Sequence, residues 1–173
     1  MLENNKIYVA PMMQYTDKHD RYFLRLISKN VILFTEMIPT NAIINGNPKK
    51  LLEYNHKEHP LILQVGGSDP KEIAKCAKIA KNNFGYDEIN INVGCPSKKV
   101  ENGMFGACLM KDPDLVGKCV NEVIDNCDIP ISIKCRIGLG EKFNYSFLKK
   151  FISLVSSKGC NKFYIHARNA VLS

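Results

Sequence analysis

Short β-rich runs alternate with helix-length segments along the chain, and this alternation most constrains its fold. Strands separated by segments of that length usually pair in parallel, because a helical crossover returns the chain to start the next strand in the same direction. The sequence therefore indicates an α/β protein built on a parallel sheet. The six predicted strands are Ile7–Ala10, Val31–Thr35, Leu61–Val65, Glu88–Asn92, Ile131–Cys135 and Lys162–His166.

Four segments carry the end signals and apolar periodicity of helices. Asp69 and Asp112 each precede a proline, which is the pattern of an N-cap followed by the first helical residue. A third helix is predicted after Asn144, and a fourth from Asp17 to Ser28. Val116, Val120, Val123 and Ile124 are expected to face inward. The other helices carry the apolar residues Phe23, Leu24 and Ile27; Ile73, Ala77 and Ala80 on one face; and Phe147, Leu148, Phe151, Ile152 and Val155.

Composition and charge narrow the class of protein. The 173 residues are 45% hydrophobic, which is enough for a core of ordinary size, and no apolar run approaches the roughly 20 residues of a bilayer span. Seven cysteines without a Cys-x-x-Cys pair fit a reducing compartment, so we expect a cytoplasmic protein without a metal site. The net charge of +7 favours an anionic partner such as nucleic acid, although a solvated lysine-rich surface explains it equally well.

One cysteine lies in the kind of loop that presents a reactive thiol. Cys95 follows the predicted strand Glu88–Asn92 and stands between Gly94 and Pro96. Glycine permits a turn without a Cβ clash, and proline prevents the chain from continuing as a paired strand. The thiol is therefore expected at the carboxyl end of a strand, where α/β enzymes bind their ligands.

Groups near other strand ends are candidates for the same site. Lys134 and Arg136 share one face of their strand, and two converging cations suit an anion or an electron-rich ring, although a wet strand end is the alternative. Gln64 and His166 hold comparable positions, where a purely structural histidine is the commoner case. The apolar turn Ala10–Met13 is either a buried loop or a platform for a flat aromatic ring.

Together these segments resemble the flavin-dependent tRNA-dihydrouridine synthases, most closely the subfamily that acts on uridines 20 and 20a of the D-loop. The most specific element is the run from Asn92 to Pro96 followed by Gly-Met-Phe-Gly-Ala-Cys-Leu-Met at residues 103–110. The further matching segments are Ala10–Met13, Thr35–Met37, Gln64–Pro70, Ile133–Gly138 and Ile165–Arg168.

The resemblance implies a TIM-type (β/α)8 barrel, here limited to about six β/α units. Residues 1–173 would form one partial FMN-binding domain, without the C-terminal helical tRNA-binding domain of the family. Cys95 would be the proton donor, Asn92 would contact the target nucleotide, and Arg136 would lie beside the flavin or the base. The residues implied to contact FMN are Pro11, Met12, Met13, Gln64, Lys134 and His166.

The implied reaction reduces uridine in tRNA to 5,6-dihydrouridine. Hydride from reduced FMN adds to C6 of the uracil, and Cys95 protonates C5. A thiol with the ordinary pKa of about 8.5 is mostly protonated at neutral pH and can serve as this acid. Lys134 would stabilise the reduced ring, and NADPH would reduce the flavin, although the chain has no Gly-x-Gly-x-x-Gly fingerprint.

Two other interpretations stay open. The chain could be a non-catalytic fragment that binds RNA or a partner weakly, because the family's FMN-phosphate strands are not among these 173 residues. It could also be a flavin barrel that reduces a free pyrimidine, similar to a dihydroorotate dehydrogenase. The basic charge and the continuation at residues 103–110 favour tRNA over a free pyrimidine.

Overall fold

The computed structural model describes residues 6–172, apart from the side chain of Lys99. Short turns of 3-10 or π geometry cover His56–Glu58, Ala80–Phe84 and Gly106–Lys111. The strands are β1 (Leu33–Pro39), β2 (Leu61–Gly66), β3 (Glu88–Val93), β4 (Ile131–Leu139) and β5 (Phe163–Ala170). The helices are α1 (Lys18–Ile27), α2 (Thr40–Asn45), α3 (Pro48–Leu52), α4 (Pro70–Ile79), α5 (Lys98–Asn102), α6 (Pro113–Asn126) and α7 (Tyr145–Ser157).

The five strands form one parallel sheet in sequence order. The predicted first strand, Ile7–Ala10, contributes only a parallel bridge between Tyr8 and Ile32, beside β1. The rings of Tyr8 and Tyr164, which come from opposite sides of this order, are nevertheless only 5.1 Å apart. Such a contact requires the sheet to curl, as it does in a barrel. The fold is therefore part of a TIM-type (β/α) barrel, which confirms the predicted α/β class.

The helix starts agree with the sequence, whereas several strand ends do not. Asp17, Asp69, Asp112 and Asn144 each accept a hydrogen bond from a backbone N–H of the following first turn, as N-caps do. Strands β1, β4 and β5 all continue four residues beyond their predicted ends. Polar residues do not end these strands, because the inner face of the curled sheet accommodates polar side chains without breaking the backbone pairing.

Side chains alternate between two different buried environments along the strands. Leu63, Ile89 and Ile133 point outward and pack into the main core under the helices. Their neighbours Gln64 and Asn90 are buried on the inner face, because successive strand residues point to opposite sides. Gln64 is the register partner of Asn90, which in turn is the partner of Ser132 on β4. The inner face thus carries a row of buried polar groups.

Helix α1 packs with a face that the apolar periodicity did not predict. The apolar Phe23 and Ile27 are 58% and 66% exposed, whereas Leu24 packs against the main core. Arg21 and Arg25 are buried instead. The Arg21 Nε donates to Glu58 Oε2 at 2.6 Å, and the Arg25 Nη2 donates to the Glu58 carbonyl at 2.9 Å. The packed side of α1 therefore combines two buried arginines with Leu24.

The other predicted helix faces are buried or partly buried, with one exception. Ile124 is 45% exposed, and its side chain lies over Gly159 near the end of α7 instead of entering the core. Of the helices in residues 6–172, none has both the length and the apolar content that crossing a bilayer requires.

Candidate functional site

A cleft of about 480 Å³ opens at the carboxyl ends of the strands, on the inner side of the curled sheet. All of the predicted site residues line this one cleft, although they come from five separate segments of the chain. They are Pro11, Met12, Met13, Gln64, Asn92, Cys95, Lys134, Arg136 and His166. Tyr15 also lines it and was missed, although its place two residues after the methionine pair was an available signal.

The Cys95 loop is held by hydrogen bonds to its backbone. The Asn92 Oδ1 accepts from the backbone N–H groups of Gly94 and Cys95, at 3.1 and 3.0 Å. The Ala107 N–H donates to the Cys95 carbonyl at 2.9 Å. Gly106 permits this approach, because its φ is +76° and a Cβ there would lie 2.6 Å from the Cys95 oxygen. The half-buried Cys95 thiol is thus presented from a well-supported loop.

The thiols of the core differ sharply from the thiol in the cleft. Cys76, Cys119 and Cys135 are buried, on α4, α6 and β4 respectively. Burial raises the pKa of each of these three thiols to about 12. They stay protonated and unreactive at neutral pH, so Cys95 is the candidate for chemistry.

Two strands place cations side by side on the inner face. Lys134 is the register partner of Asn92, and Arg136 is the register partner of His166. Burial, and then the neighbouring Arg136 guanidinium, lower the pKa of the Lys134 ammonium. Within residues 6–172, no carboxylate forms an ion pair with any of these cationic side chains. The cleft is therefore electropositive and suited to an anionic or electron-rich ligand.

Arg136 also supports the loop that carries Cys95. Its Nε donates to the Gly94 carbonyl at 2.8 Å, and its Nη1 donates to the Asn169 carbonyl at 3.3 Å. Partial burial, and then the charges of Arg136, Lys134 and Arg168, lower the pKa of His166. The neutral imidazole is thus favoured at pH 7, which leaves a ring nitrogen able to accept a hydrogen bond.

The turn at Ala10–Met13 is an open surface, so the buried-loop interpretation is wrong. Met12 and Met13 are 47% and 55% exposed and line the cleft. The buried Thr16 holds the turn in place, because its Oγ1 accepts from the Met12 N–H at 3.0 Å. The apolar sequence predicted burial because the ligand-facing side of a cleft has the same composition as a core.

The segment that follows Cys95 consists largely of short helical turns. It forms the short helix α5 and the 3-10 turn Gly106–Lys111. The adjacent Lys98 and Lys99 predict either attraction of phosphates toward Cys95 or a solvated charge pair. Lys98 is exposed, and the side chain of Lys99 lies outside the described residues. Elsewhere in residues 6–172, no group of three or more His, Cys, Asp or Glu side chains is placed to hold a metal ion.

Comparison with known proteins identifies the family. Residues 8–172 match the family described as Dihydrouridine synthase (Dus). The chain is 53% identical to the tRNA-dihydrouridine(20/20a) synthase of Vibrio parahaemolyticus, over 100% of the chain and 53% of that relative. It is 54% identical to the enzymes of the same name from Shewanella oneidensis and Escherichia coli K12, over 95% and 98% of the chain and 48% and 49% of the relatives. The chain thus spans about half the length of these relatives, and it belongs to the dihydrouridine synthase family.

Proposed function

We propose that this chain is the catalytic part of an FMN-dependent tRNA-dihydrouridine synthase, which reduces uridine in the tRNA D-loop to 5,6-dihydrouridine. The observation that carries the proposal is that one cleft contains the Cys95 thiol, the positively charged Lys134 and Arg136, and the apolar turn Ala10–Met13. The names of the relatives, which specify positions 20 and 20a, support the choice of substrate.

The residues of the cleft fit FMN. Met12 and Met13 present thioether groups at its apolar side, and thioether sulfur packs favourably against aromatic ring systems. Lys134 supplies an unpaired positive charge on the facing wall, where an electron-rich ring would be stabilised. Gln64 and His166 add hydrogen-bonding groups for the polar edge of such a ring.

Cys95 has the position and chemistry of the proton donor. FMN, when bound and reduced by NADPH, would supply a hydride equivalent to C6 of the target uracil. Negative charge then develops at C5 and is shared with the C4 carbonyl, so an acid must protonate C5. The Cys95 thiol lies at the cleft and is close to a hydroxyl, with its Sγ 3.6 Å from Ser97 Oγ. The thiol donates to this hydroxyl, and a uracil ring placed beside it in the cleft would receive the proton in its place.

Asn92 and Arg136 would contact the target nucleotide. The Asn92 amide has two hydrogens, and its bond to Gln64 Oε1 uses one of them, which leaves the other for the base. Arg136 spends Nε and Nη1 on backbone carbonyls, and Nη2 remains for the ligand. The net charge of +7 supports tRNA as partner, and a cytoplasmic location is part of the proposal.

Absorption spectroscopy tests the cofactor. The purified chain, incubated with FMN and freed of excess by gel filtration, is expected to retain the flavin bands at one FMN per chain. Lys134→Met removes the charge but keeps an unbranched side chain, and we expect about tenfold weaker FMN binding. A chain that remains colourless would contradict the cofactor assignment and favour the non-catalytic interpretation.

Dihydrouridine formation tests the role of Cys95. With unmodified tRNA, FMN and NADPH, Cys95→Ala is expected to lower the rate by about 100-fold or more, the usual loss for a general acid. Cys108→Ala is the matched control, because Cys108 is also half-buried but donates to the Phe105 carbonyl at 3.1 Å and does not line the cleft. Equal rates for the two variants would contradict the role of Cys95. Reduction of free uracil or orotate but not of tRNA would favour the free-pyrimidine alternative.

A further inference from the structure

A continuous chain of buried hydrogen bonds runs beneath the cleft, along the inner face of the sheet. The Asn92 Nδ2 donates to Gln64 Oε1 at 2.8 Å, and the Gln64 Nε2 donates to Asn90 Oδ1 at 2.7 Å. The Asn90 Nδ2 then donates to Ser132 Oγ at 2.8 Å, and the Ser132 hydroxyl donates to Glu88 Oε1. All five residues are buried. We call this series of hydrogen bonds the amide relay.

The two ends of the amide relay determine its direction. At the lower end, Glu88 is paired with Lys162 at 2.7 Å, and an ionised carboxylate can only accept. At the upper end, the backbone N–H groups of Gly94 and Cys95 can only donate, and both donate to Asn92 Oδ1. Every carboxamide between these ends must therefore point its oxygen toward the cleft side and its nitrogen toward Glu88.

We infer that Asn90, which does not line the cleft, is the positioning residue of the site, because it sets the direction of the Gln64 amide and through it that of Asn92. If Asn90 were reversed or absent, the Gln64 amide could rotate, and Asn92 could present its nitrogen to the Cys95 loop. Two backbone N–H groups would then face a donor instead of an acceptor. The register supports this role, since Asn90 lies directly between Gln64 and Ser132.

The inference has a geometric part and a catalytic part. The geometric part, that Asn90 holds the loop at Gly94 and Cys95, rests only on the described hydrogen bonds. The catalytic part rests on the proposed function, because it assumes that the held thiol is the proton donor. Amide hydrogen exchange measures the geometric part without any flavin or tRNA.

Amide hydrogen exchange of the whole 173-residue chain provides the test. Asn90→Leu keeps the approximate shape but can neither donate nor accept, and exchange at Gly94 and Cys95 is expected to rise about tenfold. Asn90→Asp keeps the acceptor for the Gln64 amide, so exchange at these two positions should stay within about threefold of the parent chain. Ile91→Val is the matched control, because Ile91 is on the same strand, points to the outer core and carries no group of the amide relay.

The comparison between variants decides the inference. Selective loosening in Asn90→Leu, with near-normal loop exchange in Asn90→Asp, supports it. Loop exchange that only follows global stability across all three variants overturns it. If Asn90→Leu does not fold, Ser132→Ala removes the acceptor for the Asn90 amide with a smaller change of shape. It should raise exchange at Gly94 and Cys95 by at least about threefold, and unchanged exchange there overturns the inference.

Failure of this inference can be told apart from failure of the proposed function. Selective loosening in Asn90→Leu together with full dihydrouridine formation by Cys95→Ala would leave the geometric role intact and remove the catalytic one. Unchanged loop exchange together with an inactive Cys95→Ala would do the reverse.

Discussion

At the scale of single residues, Gly106 shows how closely the Cys95 loop is built against its surroundings. Its φ of +76° favours glycine, and an added Cβ would meet the Cys95 carbonyl oxygen and the Val100 side chain. Gly140 has nearly the same backbone conformation, with φ of +80°, but nothing lies within 4 Å of a Cβ placed there. Comparing substitutions at Gly106 and Gly140 therefore separates two costs to stability: that of a left-handed backbone conformation and that of a steric clash.

Alanine substitutions at these two glycines are expected to differ in stability. Gly140→Ala should lower the free energy of unfolding by about 1–2 kcal/mol, the cost of a left-handed conformation for a residue with a Cβ. Gly106→Ala should lower it by a further 1–3 kcal/mol or so, because the clash at Cys95 is an overpacking error. Urea unfolding measures both values. Equal losses would show that the loop moves aside freely.

The cysteines are expected to differ in their reactivity toward an alkylating reagent at pH 8. Cys95 should react first, because it is half-buried at an open cleft. Cys108 and Cys127 are also half-buried, but burial raises the pKa of each thiol and lowers its thiolate fraction. Peptide mass mapping over time gives the order. Earlier labelling of Cys108 than of Cys95 would contradict the exposure seen here.

The residues that line the cleft were more predictable from the sequence than the residues that support them. The spacing of Lys134 and Arg136 was sufficient, since two cations on one strand face must share an environment. Asn90 and Ser132 were missed, although both are polar positions on the inner faces of their strands. A single sequence shows such a polar residue but not its partner, because partners come from neighbouring strands whose register depends on the whole sheet.

At the scale of elements, the ion pair under α1 predicts a large effect of one substitution. Glu58→Ala would leave Arg21 and Arg25 buried without the carboxylate that Arg21 contacts at 2.6 Å. Loss of one partner of a buried pair typically costs about 3–5 kcal/mol, and we expect a value in this range from urea unfolding. Glu53→Ala is the matched control, because Glu53 pairs with Lys18 at the surface, and it should change stability little.

The pH dependence of stability should report the cationic wall formed by Lys134, Arg136 and Arg168 around His166. The pKa of His166 is lowered from its ordinary value of 6.5, so the unfolded chain binds this proton more readily than the folded chain. The free energy of unfolding should therefore fall as the pH drops below 6.5, down to the lower pKa of the folded state.

His166→Asn is expected to weaken this dependence between pH 7.5 and 5.5, as measured by the urea midpoint. His56→Asn is the control, because His56 is exposed and lies outside the cationic wall. A parent chain that becomes more stable on acidification over this range, relative to His166→Asn, would contradict the sign of the shift.

The bounds and packed sides of helices and strands were predictable where nearby residues determine them. They were not predictable where contacts with distant residues determine them. The Asp-Pro starts of α4 and α6 act within one helical turn, so the sequence was sufficient there. The side on which α1 packs depends on Glu58, which is more than 30 residues away along the chain. The ends of β4 and β5 depend on continued pairing with each other, which side-chain polarity does not reveal.

At the scale of the whole molecule, the alternation of strands and helices was sufficient to predict a parallel sheet, but not how far it closes. Crossover helices dictate that the strands they join run parallel, and the structure shows that these strands also lie in sequence order. The curl depends on contacts such as those of Tyr8 and Phe34 with Tyr164, whose ring centroids are 5.1 Å apart in both pairs. These rings fill the inner face near the start of the strands. The alternation of strands and helices does not reveal how many strands a complete barrel has, whereas membership of the family does.

Two kinds of exposed surface on this chain favour association. The described sheet has outer edges at the Tyr8 segment and at β5. Helix α1, which follows the Tyr8 segment in the sequence, carries an exposed apolar face. Phe23, Leu26 and Ile27 are 58%, 64% and 66% exposed and are spaced to share one side of the helix. Open edges and contiguous apolar surface both favour association. The purified 173-residue polypeptide is therefore expected to elute from size-exclusion chromatography ahead of its 19.5 kDa monomer mass at micromolar concentration.

Lysine substitutions separate the apolar face of α1 from the sheet edges as the cause of association. Phe23→Lys combined with Ile27→Lys should shift elution toward the monomer if the helix face drives association, because a charged side chain there cannot be buried cheaply. Ile124→Lys is the control, since Ile124 is 45% exposed on α6, away from this face. A double variant that still associates would assign the contact to the sheet edges. A parent chain that is monomeric at every concentration would show that neither surface is sufficient to hold two copies together.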